Sequence, residues 1–168
     1  MKKVLFVAVI VALFASVSIA QEKTYDVPGV FTFHYPDGWT KGPRKGGTPG
    51  ELDWLVSSGN ANASFHAVIA RADFSYDDWI RRSIKTASPT RVLAAKGDFQ
   101  TTGGQKGYKL TWNIKMPNGQ EFVTYNYLFS GKGDTQVQLS GTVDATQAAQ
   151  FEPVFDSFAK SFALTKAK

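Results

Sequence analysis

Apolar and polar residues alternate most regularly from residue 108 to residue 116. Tyr108, Leu110, Trp112, Ile114 and Met116 interleave with Lys109, Thr111, Asn113 and Lys115, the two-residue period of a half-buried strand. Pro117-Asn118-Gly119 then predicts a tight hairpin, because Asn-Gly accepts the positive φ angles of a I′ connection. Residues 122–129 are apolar on both faces, with Val123, Tyr125, Tyr127 and Phe129 on one and Phe122 and Leu128 on the other. That pattern predicts a central strand covered on both sides. A glycine-rich turn at 131–134 leads into a last strand carrying Val137, Leu139, Gly141 and Val143. Earlier in the chain, Phe31, Phe33 and Tyr35 alternate with Thr32 and His34, and Pro36-Asp37-Gly38 ends that run in a turn before Trp39. Residues 52–56 and 63–71 predict two more strands, and residues 99–102 a short one that turns at Gly103-Gly104.

Two segments change period. Tyr76, Trp79, Ile80, Ile84 and Ala87 recur at helical spacing, which predicts an amphipathic helix over 75–87. Ser75 is placed to cap it, Asp77 and Asp78 lie in its first turn, and Pro89 follows its end. Near the C-terminus, Asp144 and Gln147 resemble a capping box, after which Phe151, Val154, Phe155, Phe158 and Phe162 trace one face. Pro153 interrupts that face and predicts a break near Gln150, or a second helix beginning there. Strands, helix, antiparallel strands and helix, in that order, describe an α+β domain with helices packed on an antiparallel sheet.

The first twenty residues stand apart. Lys2 and Lys3 precede an apolar run, and Ser18 and Ala20 occupy the small-residue positions of a signal-peptidase site. This is the order of a secretory signal at 1–20, cleaved after Ala20 to leave a single domain at 21–168. An uncleaved anchor is the alternative, since the 17 residues from 4 to 20 reach the lower limit for spanning a bilayer. The expected location is periplasmic or extracellular. The chain has no cysteine, so a stable lipid anchor on an N-terminal cysteine, disulfides and thiolate metal sites are excluded, and the domain must stand on its core. Losing Lys2 and Lys3 lowers the formal charge from +5 to +3, a mildly basic protein rather than a nucleic-acid binder.

The run Phe31-Thr32-Phe33-His34-Tyr35-Pro36-Asp37-Gly38-Trp39 resembles the aromatic opening strand and turn of the PsbP-like superfamily, which includes DcrB-type bacterial envelope proteins. Asp156-Ser157-Phe158-Ala159-Lys160-Ser161-Phe162 resembles the closing helix of the same group, and the order of elements between them fits. The resemblance implies an α/β/α sandwich around an antiparallel sheet. It also implies a non-enzymatic accessory, assembly or regulatory role, exercised by docking on an envelope or membrane-associated protein partner. The plant members' long N-terminal extension is missing, with only residues 21–25 ahead of the first strand.

Catalytic motifs are absent: no G-x-S-x-G, no phosphate-binding glycine loop, no H-E-x-x-H. No cofactor is implied. His34 and His66 are the two titratable bases near neutrality. They would form a divalent-metal site if their strands were neighbours on one sheet face, with Asp26, Asp37 or Asp53 adding oxygen ligands. Such a site, or a pocket between sheet and helix, would make the protein a small-ligand or metal carrier. For docking, the expected contact is Trp39 with the Gly- and Pro-rich basic loop that holds Lys41, Arg44 and Lys45. A second expected surface is the polar row Lys109, Thr111, Asn113 and Lys115, enlarged if Gln136, Gln138 and Ser140 share its face.

Overall fold

In the computed structural model the described residues are 22–42, 52, 54–57, 59–71 and 73–165. Residues 1–21 and most of the basic loop lie outside them. Seven strands form an antiparallel sheet. They are β3 (Trp39–Gly42), β4 (Trp54–Ser57), β5 (Asn60–Arg71), β6 (Arg91–Gln100), β7 (Lys106–Lys115), β8 (Glu121–Ser130) and β9 (Thr135–Asp144). Their spatial order is β3-β4-β5-β9-β8-β7-β6. A three-stranded sheet has β2 (Phe31–Tyr35) between β1 (Lys23–Val27) and β10 (Ala163–Leu164). Helix α1 (Tyr76–Ile84) covers one face of the large sheet, and α2 (Ala148–Lys160) with the small sheet covers the other. The expected α+β sandwich is the observed architecture, with the small sheet added to the α2 layer.

The α2 side holds most of the core. Alternate residues of β2, β5, β8 and β9 meet Phe151, Phe155 and Phe158 of the helix. The indole of Trp39 stands edge-on to Phe158 at 5.0 Å, and Phe65 does the same at 4.9 Å. Phe129 stacks on Phe162 at 4.3 Å. These edge-to-face and offset pairs are the geometries that aromatic quadrupoles favour. Gly141 makes room for the Phe155 ring, which a Cβ at that position would strike. The glycine is therefore required by packing, not by backbone conformation.

Local signals explain the helix boundaries. Ser75 caps α1, its Oγ accepting the Asp78 N–H at 3.1 Å. The helix ends at Ile84 rather than Ala87, because a tight turn bridging Ser88 and Arg91 follows at once. Asp144 accepts the Thr146 N–H at 3.0 Å and caps a 3-10 turn over Ala145–Gln147. The break predicted near Gln150 therefore falls at Gln147. Pro153 lies inside α2 on its exposed side, where the unpaired Ala149 carbonyl four residues earlier can meet water. Strand β6 is ten residues long, far beyond the 99–102 segment expected.

Candidate functional site

The structure separates residues that the sequence grouped. Trp39 is only 5% exposed and packs on Phe151, Phe155 and Phe158, so it belongs to the core and cannot anchor a partner. Lys41 is exposed, with its Nζ 4.6 Å from the centroid of the Tyr25 ring. Arg44 and Lys45 lie outside the described residues, as does Asp53. His34 is on the outer face of the small sheet, because Phe33 and Tyr35 on either side point into the core. Its Nδ1 lies 3.2 Å from the Thr24 hydroxyl. His66 alternates with the buried Phe65 and Ala67 and so faces the α1 side of the large sheet, stacked on Trp54 at 4.3 Å. The core lies between the two histidines, and they share no metal site. Asp37 pairs with Lys23 at 2.9 Å. No group of three or more His, Asp or Glu able to hold a metal occurs among the described residues.

The second expected surface is divided by register. Lys109 stands opposite Tyr127 and Asn113 opposite Val123, on the α2 side. Leu110 stands opposite Asn126, which stands opposite Ser140, on the α1 side. Gln136, Gln138 and Ser140 are thus on the reverse face from Lys109. Two of them belong to a polar ladder: the Ser140 hydroxyl donates to Asn126 Oδ1 at 2.9 Å, and Gln138 Nε2 donates to Ser140 at 2.9 Å, while Gln136 Nε2 donates to the Phe74 carbonyl at 3.2 Å. Asn126 and Ser140 are buried, where hydrogen-bonded pairs avoid the cost of lone polar groups.

Lys109 lies in a network that the sequence did not announce. Its ammonium donates to Glu152 Oε1 and Asp156 Oδ1, each at 2.7 Å, and the Tyr127 hydroxyl donates to the same Asp156 oxygen at 2.6 Å. Burial, then the Asp156 carboxylate, pushes the Tyr127 phenol far up. Burial, then the charges of Glu152 and Asp156, pushes Tyr125 up to about 12. Each phenol is held protonated, and the one ammonium bridges both carboxylates. The cluster therefore rivets α2 to β7 and β8. The readable signal was the i, i+4 spacing of Glu152 and Asp156, which puts both carboxylates on one helix face.

A groove of about 500 Å³ lies at the end of the sheet where β7 runs into β8, against the start of β6. Val92, Asn113 and Val123 form part of its wall, with Ile114, Phe122 and Ala145, and the Lys115–Glu121 ion pair (3.4 Å) stands on its rim. Val92 is 55% exposed and Met116, at the neighbouring turn, 43% exposed. They are the two large apolar side chains so exposed among the described residues. Met116 continues the alternation of β7 but falls just past its last residue, beyond cover from α1. Val92 was missed because residues 91–98 show little alternation in sequence.

No protein-family model matches the chain, and no curated protein matches its sequence. Solved structures do match. The solution structure of cyanobacterial PsbP (CyanoP) from Synechocystis sp. PCC 6803 superposes with a TM-score of 0.65 at 17% identity, covering 92% of this chain and 99% of that one. The crystal structure of LpqN, involved in cell envelope biogenesis of Mycobacterium tuberculosis, gives 0.62 at 14% identity, covering 88% and 92%. A crystal structure from Bacteroides thetaiotaomicron VPI-5482 gives 0.60 at 18% identity; 87% of this chain matches 49% of that one. At such identities the likeness is one of architecture, and on it the sheet, helices and small sheet described above constitute a PsbP-like fold.

Proposed function

We propose that this chain is a non-enzymatic, exported PsbP-like domain that receives an apolar segment of an envelope or membrane-associated protein in the groove beside Val92. The observation that carries this reading is the exposure of Val92 in the groove wall, beside Ile114, Phe122, Val123 and Ala145, with Met116 exposed one residue past Lys115 of the rim, since an apolar-lined concavity with an exposed apolar side chain suits an interaction site. The groove lining includes no histidine, and its one ion pair is solvent-exposed, which supports docking over catalysis. CyanoP and LpqN lend the fold and, through LpqN's part in envelope biogenesis, the setting.

The test is a photo-crosslinking residue at position 92 in the native host, with position 132 at the opposite end of the sheet as control. A single reproducible partner captured from 92 and not from 132, and lost in Val92→Asp/Met116→Asp at unchanged Tm, is the expected result. Equal capture from both positions, or none, overturns it. The groove volume also falls within the range of small-ligand sites, roughly 300–1,000 Å³, which favours a carrier of small apolar molecules as second reading. A Tm rise on adding such molecules, absent in the double variant, would select it.

A further inference from the structure

We propose that two copies of this chain join edge to edge through β6, antiparallel about a two-fold axis at Gly97, to make one continuous sheet. Strand β6 ends the seven-stranded sheet: one side of its backbone bonds to β7, and no strand among the described residues takes the other. From Ala95, opposite Thr111, to Gln100, opposite Lys106, its register runs without interruption. Such an edge presents a row of N–H and C=O groups to any strand that fits.

Charge decides what fits. Pairing two copies of one strand about a two-fold axis requires a self-complementary surface. Backbone alternation allows only registers centred on a residue, since outward-facing groups must meet outward-facing groups. Centring on Lys96 sets that lysine against itself, and centring on Asp98 sets two aspartates together. Centring on Gly97 places Lys96 opposite the partner's Asp98, Asp98 opposite the partner's Lys96, and Ala95 opposite the partner's Phe99. Lys96 and Asp98 both face the α1 side, across from Leu110 and Tyr108, so each ion pair forms on one face. Both are exposed, and neither has an ion-pair partner among the described residues. At the axis Gly97 stands opposite the partner's Gly97, so no side chains meet there.

A lysine and a bulge on an edge strand ordinarily discourage pairing. Here the bulge lies between Leu93 and Ala95, outside the matched stretch, and the lysine is answered two residues later by aspartate. A foreign strand meets that lysine unpaired unless it carries the matching acid; a second copy always does. The matched stretch ends before Val92, so substitutions at 96 and 98 test this proposal without altering a residue of the groove.

Sedimentation equilibrium of the purified protein, from low micromolar to millimolar concentration, should show a monomer–dimer equilibrium. Lys96→Asp and Asp98→Lys each turn both ion pairs into like-charge contacts, and each should raise the dimer Kd about tenfold or more. Mixing the two variants should restore dimers, because every charge then faces its opposite. At concentrations low enough for the parent to be monomeric, Tm of each variant should equal the parent value, since both side chains are exposed. A monomer at every concentration, dimers indifferent to either substitution, or no recovery on mixing would each overturn the proposal.

Discussion

The two faces of the large sheet are built from alternate residues of the same strands, yet they hold their helices differently. On the α2 side, rings from four strands interlock with Phe151, Phe155 and Phe158, and Phe65, Phe155 and Phe158 are fully buried. On the α1 side the helix buries no residue completely. Its Trp79, Ile80 and Ile84 rest on Leu110, Trp112 and Leu128, and Arg91 lies over the Trp112 ring at 4.4 Å. Beyond the helix that face carries the hydrogen-bonded ladder of Asn126, Gln138 and Ser140. One face is thus held by the quantity of apolar surface removed from water, the other by fewer apolar contacts and by a short hydrogen-bonded ladder.

That contrast sets the order of expected effects. Phe158→Ala should cost about 3–5 kcal/mol in chemical denaturation, whereas Trp79→Ala, from a half-buried site, should cost about 1–2 kcal/mol. Equal losses would mean that the two faces carry equal weight. Ser140→Ala leaves the Asn126 carbonyl and the Gln138 amide without the hydroxyl they share, and should cost about 1–3 kcal/mol. Combining it with Asn126→Leu should cost less than the sum of the single changes, as a coupled ladder requires.

The smallest effect is one of pH. Tyr127, and Tyr125 at about 12, ionise above the ordinary phenol value of about 10 because folding favours their neutral forms. Their contribution is complete below pH about 10. As pH rises further, the unfolded phenols ionise while the folded ones do not, and stability falls. Tyr127→Phe should therefore make the alkaline limb of a stability–pH curve shallower. An unchanged limb would show that this phenol does not govern it.

Much of the framework was legible because strand and turn signals are local. The alternation in β7, the turn at Asn118-Gly119 and the Ser75 cap each act within a few residues, and each predicted an element the structure contains; the turn itself is not of type I′, because, of the two residues, only Gly119 has a positive φ, 86°. The apolar pattern of 122–129 likewise marked β8 as covered on both sides, and its residues from Val123 to Phe129 are all buried. Edge strand β6 was nearly invisible, since exposed Ala94, Ala95 and Lys96 leave little periodicity to read.

The candidate sites fared differently, for the same physical reason. A period of two tells which residues share a face of one strand, but not which face of a neighbouring strand they meet. Register decided that Lys109 looks toward Tyr127 and α2, while Ser140 looks toward α1. Packing decided that Trp39, next to a basic loop in sequence, belongs inside, and that the core separates His34 from His66. The amino-acid sequence by itself determined the kinds of element, their order and the absence of thiol chemistry. Only the tertiary structure decided which side chains meet, because those contacts join residues distant along the chain, and their energies depend on what else is packed there.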